Sequence, residues 1–358
     1  MRNIKSVESI SKDIRGKTVL LRVDFNVPIK KGIVEEDFRI RAALPTINFL
    51  LKKGAKIILI THLGEDGSAS LEPVIKHFFK ISKIDKNKVS FFENVRKFPG
   101  EMKNSQDFAK QLAALGDFYV NDAFSVSHRK HASVVSLPKY LPSFAGLQLE
   151  KEIKNLSHAI AKIRHPFLFI LGGVKFSTKM PLIKKYLKLA DYVFVGGALA
   201  NDFLRAKGYE VGKSVLSIEN YDVKGITKNK KLILPDDVFV KSGNKLKNKK
   251  VNDIEKNEEI VDIGNETVEK LKTLIRKSKI ILWNGPLGKY EDGGAVSTKK
   301  ILKLVASSKA ESIIGGGDTV VLVSEMKMEK KFSFVSTGGG ATLDFLVFGT
   351  LPGIEALK

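Results

Sequence analysis

Four arginines, Arg22, Arg39, Arg96 and Arg129, fall at strand or loop positions in the first half of this chain, with Asp24, Asn26 and His62 beside them. A guanidinium fork binds carboxylate and phosphate bidentately, so these residues, gathered at one sheet edge, would cradle a small, strongly acidic molecule. The second half carries glycine instead, at Gly172-Gly173, Gly196-Gly197, Gly285, Gly315-Gly316-Gly317 and Gly338-Gly339-Gly340. One such cluster is an ordinary tight turn. Five of them, each following an apolar run, suit close approach of backbone amides to phosphates. Lys175 and Lys179 lie four residues apart just past the first cluster, on one face if a helix starts there. Asp318 and Thr319, after Gly316 and Gly317, offer a carboxylate for Mg²⁺ and a hydroxyl for phosphate. Ser336 to Thr342 opens the last helix and offers another nest of amides.

Other chemistries find less support. No glycine cluster matches G-x-G-x-x-G followed by an acidic residue, which makes a nicotinamide dehydrogenase remote. Gly208 to Ser214 is one residue short of a P-loop and follows no strand, so it reads as a helix-ending turn. There is no Ser-His-Asp pattern and no H-E-x-x-H, and His62, His128 and His131 lack metal-ligand company. The chain has no cysteine, which excludes disulfides, thiolate chemistry and Cys-based zinc sites. Phosphoryl transfer, by contrast, needs mainly positioning and charge neutralisation, and these residues supply both.

Short apolar runs must carry these groups. They recur at Val19–Val23, Lys56–Thr61, Val89–Phe92, Phe118–Val120, Phe167–Leu171, Tyr192–Val195, Leu232–Leu234, Ile280–Trp283, Ser312–Ile314 and Phe332–Val335. Helical patterns fill the gaps. The expected fold is α/β, with doubly wound parallel sheets covered on both faces. Such sheets bind ligands beyond the carboxyl ends of their strands, where the residues above fall. A length of 358 residues with 43% apolar content implies two domains. The shift from charged to glycine-rich strand ends puts the boundary near Pro138 to Glu150, ahead of a helix over Glu150 to Ile163.

No run reaches the ~20 apolar residues of a membrane span. Met1 to Ile10 has no apolar signal region, so an intracellular, cytoplasmic protein is expected. Lys and Arg number 61 against 39 Asp and Glu, a net charge of +22. A nucleic-acid-binding role is the competing reading of that charge. The densest basic stretches, Lys224 to Lys231 and Lys241 to Lys250, lack interleaved aromatics on which bases would stack, and a solvated surface is the preferred reading.

These residues resemble the phosphoglycerate kinase family from Thr18 to Leu357. The motifs are Val19-Leu-Leu-Arg-Val-Asp-Phe-Asn-Val-Pro28, Glu93-Asn-Val-Arg96, Tyr119-Val-Asn-Asp-Ala-Phe124 with His128-Arg129, Gly172 to Lys179, Trp283-Asn-Gly-Pro286, Gly315 to Thr319 and Ser336 to Thr342. The resemblance implies phosphoryl transfer between 1,3-bisphosphoglycerate and ADP, giving 3-phosphoglycerate and MgATP, in a monomer. It implies two domains facing a cleft with a hinge. Residues 1–148 would bind the acidic substrate, with 346–358 packing back on them, and 149–345 would bind nucleotide.

By resemblance Asp24, Asn26, His62, Arg96 and Arg129 contact phosphoglycerate. Arg39 and Lys175 neutralise the phosphoryl group in flight. Lys179, Thr319, Gly316 and Gly317 serve the nucleotide phosphates, Asp318 its Mg²⁺ and Glu291 its ribose. Gly338, Gly339 and Gly340 present amides to the transition state. The chain departs from the pattern at Glu65, where the family has arginine; Glu65 is expected to turn away, with Lys97 substituting. It departs again at Lys289-Tyr290, where the family favours Val-Phe, and at Glu259-Ile260, in place of Met-Gly. It is also shorter than usual ahead of Val89 and between Ser217 and Leu232. A catalytically weakened member of the family is the alternative these changes raise.

Overall fold

Unbroken apolar runs become the central strands because both their faces are covered. The computed structural model describes residues 4–10, 14–161, 163–217, 223–243, 245–289 and 294–358. They divide into two compact units, 1–157 with 340–358, and 158–339.

The first unit holds β1 (Thr18–Arg22), a small hairpin of β2 (Ile29–Lys30) and β3 (Ile33–Val34), β4 (Lys56–Ile60), β5 (Val89–Phe91), β6 (Phe118–Asn121) and β7 (Ser143–Ala145). Five of them form a parallel sheet in the order β5-β4-β1-β6-β7. Val19, Leu20 and Leu21 of β1 are fully buried. The winding steps from β1 to β4 and β5, then reverses to β6 and β7. Around the sheet lie α1 (Phe38–Lys52), α2 (Glu72–Ser82), α3 (Pro99–Met102), α4 (Gln106–Ala113) and α5 (Leu147–Ala161). Helix α1 shows why such segments are helical: Ile40, Ala43, Ile47 and Leu50, three or four apart, are its buried stripe.

The second unit repeats the plan with β8 (Phe167–Leu171), β9 (Tyr192–Val195), β10 (Leu232–Ile233), β11 (Asp237–Ser242), β12 (Lys245–Lys250), β13 (Glu259–Ile263), β14 (Ile280–Asn284), β15 (Glu311–Gly315) and β16 (Phe334–Val335). Its main sheet is parallel, ordered β10-β9-β8-β14-β15-β16, so the winding reverses between β8 and β14. All five residues of β8 and of β14 are buried. Its helices are α6 (Phe176–Leu189), α7 (Ala198–Ala206), α8 (Lys224–Thr227), α9 (Asn265–Lys277), α10 (Val296–Ala306) and α11 (Gly317–Glu325). Gly208, at φ +90°, lies just past the end of α7, as a helix-ending turn requires.

Each expected strand is present, with ends shifted by a residue or two. Unexpected is an antiparallel sheet, β12-β11-β13. Its edge strand β12, Lys-Leu-Lys-Asn-Lys-Lys, is almost wholly exposed, and edge lysines oppose pairing with another chain. Two of those lysines are paired: Lys249 with Glu255 and Glu258, and Lys250 with Glu266. The chain then returns to the first unit through α12 (Gly340–Phe348) and α13 (Pro352–Glu355). Phe345 packs edge-on to Phe124 at 5.8 Å, and the Gly353 N–H donates to the Ser127 carbonyl at 2.7 Å. Among the described residues no helix is long and apolar enough to cross a membrane.

The reversal point of the second unit tolerates no side chains. A Cβ at Gly172 would come 2.1 Å from the Pro286 carbonyl oxygen, and one at Gly285 (φ +88°) 2.4 Å from the Gly172 oxygen. Gly172→Ala is therefore expected to destabilise the protein by about 1–3 kcal/mol through overpacking against backbone. Urea unfolding checks this; an unchanged midpoint would show that the two turns can separate freely.

Candidate functional site

In the first unit the strand-end loops assemble around one carboxylate. Asp24 follows β1, and its Oδ2 accepts from Arg39 Nη1 at 3.0 Å and from the Ser125 hydroxyl. Its Oδ1 accepts from the Asn26 amide at 2.9 Å and stands 3.7 Å from His62 Nδ1. Arg39, from the first turn of α1, also donates to the Asn26 carbonyl at 2.9 Å. Asn26 Oδ1 accepts from the Gly64 amide at 3.0 Å, and the Gly64 carbonyl accepts from Arg96 Nη1 at 2.6 Å. Asp24 thus contacts Arg39, Asn26 and His62, and Arg96 joins them through Gly64. Arg129 is exposed on the loop after β6 and acts on Arg96 through its charge.

The electrostatics follow from crowding and burial. Burial alone would push the Asp24 carboxyl up; Arg39, Ser125 and the Asn26 amide outweigh it and hold Asp24 well below the usual carboxylate range. Burial drives His62 down to about 3, so the ring is neutral at pH 7 and its approach to Asp24 is not an ion pair. Burial, then Arg129 and Arg22, lower Arg96. His131 falls to about 4, by burial and then by Arg96. His62 Nδ1, His131 Nδ1 and Arg96 Nε are buried without a partner among the described residues. His62 Nδ1 and His131 Nδ1 stand 3.7 and 3.8 Å from the carboxylates of Asp24 and Glu101, whereas Arg96 is a cation crowded by other cations, which an anion would relieve.

Arg22 has a different place. It is 1% exposed, with Nε donating to Ser133 Oγ at 2.9 Å and Nη1 to the Val23 carbonyl. Ser133 is held in turn by Glu101, through its hydroxyl at 2.6 Å and its amide at 2.8 Å. Arg22 is therefore a support beneath the cradle. Ser125, Ser133 and Glu101 escaped sequence reasoning, because a lone serine or a glutamate in a charged stretch carries no pattern. Glu65 is exposed, and Lys97 pairs with Glu93 at 3.4 Å.

In the second unit the glycine turns meet where the winding reverses. Gly173 (φ +90°), Gly197 (φ +62°), Gly285 and Gly316 (φ +91°) lie backbone to backbone, so part of their glycine content answers packing. Lys175 is the exposed N-cap residue of α6. Lys179, one turn on, is buried, and its Nζ donates to the Gly172 carbonyl at 2.5 Å. Burial lowers Lys179 to about 8, opposed by Asp318 and aided by Lys175. Asp318 is exposed in the first turn of α11, beside Gly317, where a side chain would meet open space. Thr319 Oγ1 and Asn284 Nδ2 are buried there without a partner among the described residues. Asn284 was visible only as part of the Trp283-Asn-Gly-Pro286 motif. Gly338 donates its N–H to Ser336 Oγ at 3.1 Å, Gly339 has φ +53°, and Gly340 starts α12. Glu291 and Tyr290 lie outside the described residues. Those residues contain no cluster of three or more metal-ligating side chains.

Two doubly wound units, one with a cationic cradle at its strand ends and one with amide-lined, lysine-bearing turns, define an α/β phosphotransferase. A family model described as phosphoglycerate kinase matches residues 8–83 and 79–347. The phosphoglycerate kinase of Dictyoglomus turgidum is 39% identical, over 97% of this chain and 96% of that protein. That of a Wolbachia from Drosophila simulans is 38% identical over 99% of both. Among solved structures, phosphoglycerate kinase from Coxiella burnetii superposes with a TM-score of 0.82 at 34% identity, over 99% of each chain. The Pyrococcus horikoshii enzyme gives 0.88 at 29%, over 99% of this chain and 98% of that one. The chain belongs to the phosphoglycerate kinase family, and its activity is that family's phosphoryl transfer.

The buried Lys179 makes a testable demand. Its folded pKa of about 8 lies below the ordinary lysine value of 10.5, so between these pH values the unfolded chain binds more protons and stability rises with pH. Wild type should gain on the order of 2 kcal/mol relative to Lys179→Met between about pH 7.5 and 10. Urea unfolding at both pH values decides it; parallel curves would mean that the charge is not buried at a cost.

Proposed function

We propose that the cradle of the first unit binds 3-phosphoglycerate or 1,3-bisphosphoglycerate and that the glycine turns of the second bind ADP or ATP. The linkage of Asp24 to Arg39, Asn26 and His62, with Arg96 joined through Gly64, carries the reading, because it concentrates cations beyond the strand ends in a way suited to a small polyanion. In the nucleotide half, Lys175, Lys179, Thr319 and the Gly316–Gly317 turn serve the phosphates, and Glu291 the ribose. The exposed carboxylate of Asp318 and the nearby Thr319 hydroxyl are hard oxygen donors, which suits Mg²⁺ carried in with the nucleotide. That ion would supply charge neutralisation on the phosphates.

In the forward direction an oxygen of the ADP β-phosphate attacks the acyl phosphorus, and the bond from phosphorus to the carboxylate oxygen breaks. ATP and 3-phosphoglycerate result, with no covalent enzyme intermediate. Arg39 and Lys175 neutralise the equatorial oxygens of the moving group once hinge closure excludes water. The amides of Gly339 and Gly340, and of Gly338 on release from Ser336, would face the same group. The enzyme would act as a cytoplasmic monomer on dissolved metabolites.

Formation of 1,3-bisphosphoglycerate from 3-phosphoglycerate and MgATP, followed by a coupled reductive assay, tests this. Absence of turnover by folded protein would overturn it. Arg39→Ala should lower kcat by about 100- to 1,000-fold with little change in nucleotide affinity; equal losses in both would make Arg39 a binding residue only. Glu65→Arg should lower KM for 3-phosphoglycerate by about ten- to a hundredfold, the worth of one hydrogen bond to a charged group. An unchanged KM would show that position 65 does not face the substrate.

A further inference from the structure

Arg39 is held at its tip and again at its root. At the tip, Nη1 lies between Asp24 Oδ2 at 3.0 Å and the Asn26 carbonyl at 2.9 Å, which ties the guanidinium to the segment after β1. At the root stands Asp37, the residue that precedes α1. An aspartate there ordinarily caps the helix by accepting from its first free amides. This one does not. Its Oδ1 accepts from Arg41 Nε at 2.7 Å, and its Oδ2 meets His77 Nε2 of α2 at 2.9 Å. The Phe38 N–H goes instead to Glu36 Oε1. Burial raises the Asp37 carboxyl, but the bonds from Arg41 and His77 outweigh it and hold it below its ordinary value. An ionised carboxylate only accepts, so His77 Nε2 carries a proton and donates.

The two partners differ in what they fix. Arg41 lies on α1 itself, four residues on, and moves with it. His77 belongs to another helix, and that helix is packed in place. The next residue, Phe78, is fully buried, with its ring 5.9 Å from Phe25 and 5.3 Å, edge-on, from Phe91 of β5. Phe25 sits between Asp24 and Asn26. The contacts that run from His77 through Phe78 and Phe25 thus end on the segment that holds the Arg39 guanidinium. Both ends of Arg39 are set against residues 24–26. We propose that His77 and Asp37 are positioning residues for Arg39: their bond fixes the first turn of α1 against α2, and so keeps the guanidinium where the moving phosphoryl group passes. This inference rests on the reading of Arg39 as the residue that neutralises that group.

The side chains of Asp37 and His77 are 20% and 22% exposed, so removing their bond leaves no deep cavity and should leave the chain folded. Kinetics with saturating 3-phosphoglycerate and MgATP, alongside urea unfolding, provide the test. His77→Leu and Asp37→Ala should each lower kcat about three- to tenfold, with KM for MgATP within about twofold of wild type. His77→Gln, whose amide nitrogen can donate from the place of Nε2, should recover most of the loss. Arg41→Ala removes only the partner on α1 and should change kcat by less than about twofold. In an Arg39→Ala background, His77→Leu should have no further effect on kcat, because the residue it positions is gone. Wild-type kcat in His77→Leu, whatever its urea midpoint, would overturn the proposal, as would a full further loss on top of Arg39→Ala. An unaltered kcat in Arg39→Ala would overturn the role of Arg39 and this inference with it. A wild type without turnover would overturn the functional reading itself, so the failures are distinguishable.

Discussion

A parallel sheet that winds first one way and then the other must leave a gap between the two loops at its reversal point, and both units of this protein are built on that constraint. In the first, the loops after β1 and β6 carry Asp24 and Ser125 to the gap, with His62 beside them after β4; in the second, those after β8 and β14 carry Gly172 and Gly285. One scaffold has been given two chemistries. Side-chain charge fills the first gap, whereas backbone lines the second so closely that Gly172 and Gly285 leave no room for a Cβ. Central strands with every residue buried hold the second gap in place, since neither β8 nor β14 can shift without breaking packing on two faces.

Charge management distinguishes the first unit. Bringing Arg22, Arg39 and Arg96 near one another is unfavourable, and the fold offsets it from two sides. Asp24 takes Arg39 from above, while Glu101 acts on Arg22 from below through the Ser133 hydroxyl. Burial raises the Glu101 carboxyl, with Arg22 and the two Ser133 bonds opposing that rise. Among the described residues Arg96 Nε and the Nδ1 atoms of His62 and His131 have no hydrogen-bond partner. A buried donor without a partner costs about 1–3 kcal/mol. In the second unit, Asn284 Nδ2 and Thr319 Oγ1, without a partner among the described residues, lie at strand ends in the same way.

The main sheets were legible in the sequence because their strands are continuous apolar runs, and one run of five such residues, Phe167–Leu171, has few other fates. The antiparallel sheet was not legible, since β12 has one apolar residue among lysines and its pairing is set by β11. Strands β2 and β3 are two residues each, too short for any period, and only the Lys31-Gly32 turn with both φ values positive (49° and 73°) marks their hairpin. The side chains of the cradle were legible because arginine and histidine at strand ends are informative by type. The ties of Lys179 to Gly172 and of Gly338 to Ser336 were not, because a sequence shows that a donor exists and not which acceptor it has found.

The loop from His62 to Ser68 shows how one residue can change sign without disturbing its neighbours. Gly64 uses both backbone groups, its N–H on Asn26 Oδ1 and its carbonyl on Arg96 Nη1. Asp66 Oδ1 accepts from the Ser68 amide at 3.0 Å and so closes the turn. Gly67, at φ +79°, sits so close to the Arg96–Lys97 peptide that a Cβ would come within 2.3 Å of it. The loop's course is therefore dictated on both sides of Glu65 by contacts that do not involve its side chain. Exchanging arginine for glutamate at an exposed position of a loop held in this way leaves the geometry in place and alters only the local field. On the proposed reading its consequences fall on how strongly an anion is held and not on whether the cradle forms.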